Sequence, residues 1–580
     1  MAKRSGAVHV ARIVSKYKDH EYVSHLLRRT YREGGKVRHE TVGNISHLPS
    51  ELIEAVQRGL AGERLVAASD AFVIERSLPH GHVAAVAAMG NKLGLEKLLG
   101  QACSERDLTL GLIVARVVRP GSKLATTRWW ADTTLAEDLG IEGASTDDVY
   151  RAMDWLVARQ EPIEAALANR HLHPGSLVLY DLSSSHYEGR TCPLAALGFP
   201  RDRRRGLPQI NYGLMTDIDG RPISIEVFKG NTADPTAFVA ASAKLKDRFG
   251  VSSVVVVGDR GMITGARIDA LKEIGGLGWI TALRAPQIQA LAEAGAIQMS
   301  LFDEHNLAEI AHPSYPEERL VCCRNPRVAA ERERKRAELL EATEKDLLGI
   351  KQATMRDKRP LRGKADIGIR VGKVINKRKV GKHFEVSITD DWFDYSRRQE
   401  RIDKEAALDG VYVVRTSVGS ENLSAPKVVE SYKRLAEVER DFRSLKSVDL
   451  DIGPIRHRRE ERVRGHALIC MLAEYVVWHL RKAWAPLTFT DEDPPIKQDP
   501  VAPARRSESA NKKASRRRTA EGEPAHSFSS LLDHLATLIR SDVSITTAPN
   551  TPTFQQLSQP SPTQRRAFEL IEAPVPLKVL

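Results

Sequence analysis

Hydrophobic and polar positions alternate with a period of two near the N-terminus. Tyr22 to Tyr31 predicts a strand, Gly34-Gly35 a turn, and Lys36 to Ile45 a returning strand, so residues 7–50 read as a small β unit. Arg28, Arg29, Arg32, Lys36 and Arg38 crowd this hairpin, either as a charged guard on a strand edge or as a DNA-backbone contact. From Pro49 to about Ala168 the period lengthens to that of a helix, in Leu52 to Leu60, Ala84 to Leu99 and Leu108 to Val118. Ser145-Thr146-Asp147-Asp148 predicts a helix start, with Thr146 as N-cap before Val149 to Leu167. Trp129-Trp130 falls in this stretch and reads as core packing.

The pattern changes again at His173. Short apolar runs predict buried strands at Ser176 to Tyr180, Ser253 to Val257 and Trp279 to Leu283. Gln209 to Thr216 and Pro222 to Phe228 flank Asp219-Gly220, a strong hairpin signal. Helices are predicted at Thr236 to Phe249 and at Thr264 to Ile274, the latter closed by Gly275-Gly276. The order β-β-β-α-β-α-β is that of a ribonuclease-H-like α/β core. Residues 285–425 interrupt it with a long charged helix opened by Asn325-Pro326, and with strand-like pieces at Ile367 to Ile375, His383 to Ile388 and Gly410 to Thr416. Helix returns over 426–484.

Six segments follow: a β unit (1–50), a helical region (51–170), the first part of the core (171–284), the inserted partly β subdomain (285–425), the rest of the core (426–485) and a tail (486–580). Residues 490–525 are rich in Pro, Ser, Glu, Lys and Arg, which predicts a largely disordered basic tail apart from a short helix over Ser527 to Ser541.

Among the 580 residues, 87 Lys and Arg against 75 Asp and Glu give a net charge of +12, which favours a polyanionic partner such as nucleic acid. The best candidate for a membrane span, Val463 to Leu480, carries His466, Glu474 and His479, and so predicts a buried helix instead. Five cysteines without a C-x-x-C spacing argue against a disulfide framework or a zinc ribbon and for a reducing, cytoplasmic setting.

Two acids end apolar strands: Asp181 after Leu177 to Tyr180, and Asp259 after Val254 to Gly258. In an α/β sheet that edge is where ligands bind, and the topology makes these strands neighbours. Paired carboxylates repel, and a hard divalent cation, Mg²⁺ or Mn²⁺, relieves the repulsion. A third carboxylate is predicted from residues 428–446. Leu435, Val438, Phe442 and Leu445 form a buried stripe there, and Tyr432, Glu439 and Lys446 recur every seven residues along one face. Ser183, Ser184 and Ser185 follow Asp181 without a histidine–acid partner and are not read as nucleophiles. His171 and His173 do not suit a metal pair, while His186 suits a hydrogen-bonding role. Asp217 and Asp219 are turn residues.

Asp181-Leu-Ser-Ser-Ser, Val-Val-Gly-Asp259-Arg-Gly-Met and Tyr432-x6-Glu439-x6-Lys446 resemble the three blocks of DDE transposases from bacterial insertion sequences. The group is the one with a Tyr-Arg-Glu-Lys catalytic-helix signature and a β-rich insertion before the Glu. Asp409 to Thr416, Pro454 to Arg459 and Arg464-Gly-His466 extend the likeness, which covers about residues 7–484. The signature Arg position holds Leu435, with Arg434 and Arg443 as candidate substitutes. The resemblance implies catalysis by Asp181, Asp259 and Glu439 holding two Mg²⁺ ions, with Mn²⁺ able to substitute, in two-metal phosphoryl transfer. It implies DNA contacts from Tyr432, Lys446, Arg434, Arg443, Arg260, Arg203, Arg204 and Arg205. It further implies a homodimer that acts in the bacterial cytoplasm at the nucleoid, binding double-stranded terminal inverted repeats, cutting their 3′ ends and joining them to target DNA. A ribonuclease-H-like nuclease without joining activity, or an inactive DNA-binding regulator, are the alternatives.

Overall fold

The computed structural model describes all residues except 1–5, 64–70, 202–203, 234–235, 238–240, 243, 245–248, 250–253, 264, 496–498, 503, 546–552 and 580. Two compact units form, Met1–Leu78 with Ile539–Gln559, and Pro79–Leu538 with Pro560–Leu580.

In the first unit β1 (Val8–Tyr17), β2 (His20–Glu33) and β3 (Lys36–Asn44) make an antiparallel sheet joined by Gly34 and Gly35, both at positive φ. The first strand of this sheet was not read from the sequence. The Ser50–Leu60 helix packs on β1 and buries Ile53. A second sheet joins β4 (Phe72–Pro79), inside the stretch expected to be helical, to strands Ile539–Ile545 and Phe554–Leu557 near the chain end.

The second unit is an α/β fold built on one large mixed sheet. Its strands are β5 (Ser176–His186), β6 (Gln209–Asp217), β7 (Pro222–Lys229), β8 (Val254–Val257), β9 (Leu277–Ala282), β10 (Leu307–Ile310), β11 (Arg319–Arg324) and, after the β12–β13 hairpin (Phe384–Ile388 and Phe393–Arg397), β14 (Val411–Thr416). The spatial order is β10-β11-β14-β9-β8-β5-β6-β7. β5, β8 and β9 run parallel, and β5, β6 and β7 run antiparallel, β6 and β7 meeting at a turn where Gly220 has φ +85°. Central strands covered on both faces explain the continuous apolar run of Val254–Val257, and β6 is buried at every position although it carries Gln209, Asn211, Thr216 and Asp217. The helix read over Thr236 to Phe249 lies largely outside the described residues.

The inserted segment differs from expectation in two ways. β10, β11 and β14 do not form a separate β subdomain; they extend the main sheet. Between β11 and β14, the Pro326–Thr354 and Lys364–Lys377 helices and the β12–β13 hairpin enclose their own small core of Leu340, Leu347, Ile350, Ile367, Val371, Phe384 and Phe393. Ile367 to Ile375, read as a strand, is helical because Ile367 and Val371 stand one turn apart and face that core together.

Helices Gly81–Lys92, Ser104–Val118, Thr146–Val157 and Glu460–Ala483 pack into the main core, the last buried along most of its length. Among the described residues no helix is long and apolar enough to cross a membrane. The N-cap of Thr146–Val157 is Ser145 rather than Thr146, in a capping box with Asp148, and the helix stops at Val157 before a second one at Gln160–His171. The tail beyond 486 is not largely disordered. Helices Glu508–Arg516, Phe528–Ala536 and Pro562–Leu570 form there, and Leu531, Leu535 and Phe568 join the core. Composition pointed the other way because the apolar anchors are few and widely spaced among charged residues.

Candidate active site

Strand register sets the site. β5 and β8 pair in parallel with Leu179 opposite Val257. Asp181 and Asp259 each stand two residues beyond that pair, at the same level of the same sheet edge. Asp181 is still within β5, opposite Leu214 of β6, and is half-buried, whereas Asp259 follows the end of β8 and is exposed. The preceding Tyr180 is packed so closely over Gly213 that a Cβ there would lie 2.1 Å from its hydroxyl.

The third carboxylate arrives on a broken helix. Ala425–Lys433 ends at Arg434, Leu435–Arg443 starts there, and a π-helical turn, Ser444–Val448, follows. Val438, Phe442 and Leu445 are buried as the apolar stripe requires, and Phe442 meets Tyr212 of β6 with ring centroids 5.9 Å apart. The Leu435–Arg443 helix thus lies on β5 and β6, with Glu439 on its exposed side.

These residues feel one another. Burial pushes the Asp181 carboxyl up to about 7, and the negative charges of Glu439 and Asp259 push the same way, against the Leu182 N–H (2.8 Å) and Arg201. Tyr432 is raised to about 12 by burial first and then by Asp259, with Arg260 opposing and Glu439 reinforcing. Asp181, Asp259, Glu439, Tyr432 and Arg260 therefore share one electrostatic neighbourhood. They are not at ligand range: among the described residues no group of three or more His, Cys, Asp or Glu side chains is gathered closely enough to hold a metal ion.

The other named positions spread around this centre. Arg260 is exposed, and its carbonyl accepts from Arg284 Nε at 3.4 Å. Arg434 is exposed at the break between helices, Arg443 is exposed, and Lys446 is half-buried in the π-helical turn, out of the regular helical phase that the seven-residue spacing assumed. Arg204 and Arg205 are exposed, and Arg204 Nη1 lies 2.9 Å from His186 Nε2. Arg203 lies outside the described residues.

Ser185 Oγ and Tyr212 Oη share a hydrogen bond of 2.8 Å, and Ser184 Oγ accepts from the Arg201 N–H at 3.3 Å, so these serines brace the sheet. His171 sits between Tyr475 and Arg221, its pKa pushed down to about 4 by burial and then by Arg221 and Arg170. Sequence reasoning missed Arg201, whose signal was only its place ahead of the arginine run. It also missed a buried acid pair behind the helix. Glu474 and Asp441 are both held protonated above the usual carboxylate range, by burial first, and Glu474 meets Ser444 Oγ at 2.5 Å in the π-helical turn. One Asp441 oxygen is buried without a hydrogen-bond partner.

A transposase DDE domain model matches residues 197–474, and the model of the IS1634 family transposase N-terminal domain matches residues 10–69. This chain is a DDE transposase of the bacterial insertion-sequence kind. The DDE match contains Asp259 and Glu439 of the transposase and begins after Asp181. Transposases of this family generally use divalent metal ions. Comparison with curated proteins found no match. Among solved structures, a piggyBac transposase in a synaptic complex with hairpin DNA is similar at 10% identity and a TM-score of 0.32, over 79% of this chain and 76% of that one.

Proposed function

We propose that this transposase cuts the 3′ ends of its element and joins them to target DNA, using Asp181, Asp259 and Glu439 on a ribonuclease-H-like core. The observation that carries this reading is the shared register of Asp181 and Asp259, with the charge of Glu439 felt at Asp181 from the helix laid over β5. The donor set suits Mg²⁺ or Mn²⁺, since it is all carboxylate oxygen, and Asp181 is disfavoured as an anion until a cation offsets its neighbours. Bound there, divalent cations would supply Lewis-acid activation of the attacking hydroxyl and stabilisation of the leaving 3′-oxygen.

The chain's own residues bind and orient. Tyr432 flanks Asp259, and Arg260 and Arg201 bring positive charge to the same neighbourhood, suited to the non-bridging oxygens of the scissile phosphate. Lys446, Arg434 and Arg443 on the broken helix, Arg204 and Arg205 in the loop before β6, and Arg203 next to them in sequence would hold backbone phosphates to either side. The DNA is double-stranded: the element's terminal inverted repeats and the target. Two copies would act as a dimer across paired ends, in the bacterial cytoplasm at the nucleoid.

The test uses a duplex carrying the element's end. Wild type should cut it in Mg²⁺ and, given pre-cut ends, should yield joined product. Cutting without joining under any divalent cation would leave a nuclease instead, and Mg²⁺-dependent cutting that persists in Asp181→Ala, Asp259→Ala and Glu439→Ala would remove the site.

A further inference from the structure

The loop between β5 and β6 carries an apolar patch that the three acids do not use. Leu197 is 65% exposed and Phe199 is 80% exposed, more than any other large hydrophobic side chain among the described residues. Exposed apolar side chains are ordinary on a slack loop, but this backbone is fixed. Ala196 and Gln209 exchange both backbone hydrogen bonds, at 3.1 and 2.9 Å, and the Gly230 N–H donates to Leu194 O at 2.9 Å. Gln209 is buried, and its Nε2 donates to Phe199 O and to Gly230 O, each at 2.9 Å. Gly198 lies so close to Gly230 that a Cβ would stand 2.1 Å from Gly230 O. Pro200 holds Phe199 in extended backbone, where alternate side chains share a face. Gly198 therefore faces Gly230, and Leu197 and Phe199 face solvent together.

The patch lies beside the acids. Two residues past Phe199, the Arg201 N–H donates to Ser184 Oγ at 3.3 Å, and the Arg201 charge is felt at Asp181. Ser184 follows Asp181 by three positions in β5, so Phe199 stands within roughly 20 Å of that carboxylate. Arg204 and Arg205 are exposed in the same loop, Arg204 held 2.9 Å from His186. A fixed apolar pair with arginines on its flank fits a polyanion that also offers flat apolar surface. DNA bases are that surface, and a base shows its face to an aromatic ring where it leaves the stack. The basic flank favours nucleic acid over a second apolar protein surface.

We propose that Phe199, with Leu197 beside it, is an apolar wedge that stacks on a DNA base unstacked near the scissile phosphate. The proposal rests on the function above, since it takes the DNA at this sheet edge to be the substrate. At about 3.4 Å per nucleotide of one strand, the base lies within about six nucleotides of the cut. Contact with the Phe199 ring offsets part of the stacking that the base gives up. Because the loop backbone is fixed, the wedge sets the register of the strand over the acids.

The experiment uses the full-length chain, Phe199→Ala, the ring-retaining Phe199→Tyr, and duplexes of the element's end carrying 2-aminopurine at successive positions within that span. In EDTA, where binding needs no cutting, wild type and Phe199→Tyr should raise the fluorescence at a position in the span, and Phe199→Ala should lose the rise. In Mg²⁺, Phe199→Ala should cut a fully paired end about tenfold more slowly, and a mismatch at the responsive position should restore the rate. Thermal melting of the variants should match wild type, as an exposed side chain requires. No responsive position in wild type, a response that Phe199→Ala keeps, or a cutting loss that the mismatch leaves in place overturns the proposal. Loss of self-association in Phe199→Ala by sedimentation, with the fluorescence rise retained, also overturns it and assigns the patch to a second copy of the chain. The two readings fail separately: cutting that persists in Asp181→Ala removes the catalytic site and leaves the fluorescence result in EDTA standing.

Discussion

Asp181 combines burial with two negative neighbours, and each raises the cost of its charge. A carboxylate so placed contributes little to holding the fold, so its removal should harm chemistry and not structure. Asp181→Ala, Asp259→Ala and Glu439→Ala are each expected to lower cutting on the order of 10³-fold or more. Duplex affinity, measured by anisotropy, should stay within about twofold, because positive residues carry most of that energy. Ser185→Ala, by contrast, should leave cutting near wild type and cost about 1 kcal/mol of stability through the lost Tyr212 bond, read from denaturant melts.

The broken helix shows what one element asks of its neighbours. Its apolar stripe was legible in the sequence, because Val438, Phe442 and Leu445 recur at helical spacing and all three are buried. The break at Arg434 and the π-helical turn were not legible, since neither Pro nor Gly marks them; they follow from tertiary contacts, among them the bond from Ser444 to Glu474 thirty residues away. Glu474→Gln should keep that bond partner, while Glu474→Ala should loosen the turn that follows Glu439. Cutting rate should then fall in the alanine variant and recover in the glutamine one, with duplex affinity unchanged in both.

The same element predicts a pH dependence. Asp441 and Glu474 retain protons in the folded chain that the unfolded chain gives up within the ordinary carboxylate range. Unfolded chain thus binds fewer protons there, and stability falls as pH rises above that range. Asp441→Asn should flatten the fall, by on the order of 1 kcal/mol, in melts between pH 5 and 9. For the same reason of long-range dependence, register was only partly readable. The apolar runs marked β5 and β8, but pairing of Leu179 with Val257, which levels Asp181 with Asp259, is decided at a separation of 78 positions along the chain. The inserted strands β10, β11 and β14 look like any short strands in sequence, and only their edge pairing puts them in the main sheet.

At the scale of the whole molecule, a chain of net charge +12 must bring a polyanion to a sheet edge bearing two acids, with a third on the helix laid over β5. Those two demands conflict unless divalent cations intervene, so chelation and salt should separate them. EDTA is expected to stop cutting while sparing duplex binding, and added salt should weaken duplex binding for wild type and for Asp181→Ala alike. The most direct measurement of the central claim is Mn²⁺ binding to the full chain by isothermal titration calorimetry, with Asp181→Ala, Asp259→Ala and Glu439→Ala beside it. Saturable binding in wild type that weakens markedly in each of the three variants, in step with cutting, is the result predicted. Undiminished Mn²⁺ binding and cutting in any one of them would contradict a shared site.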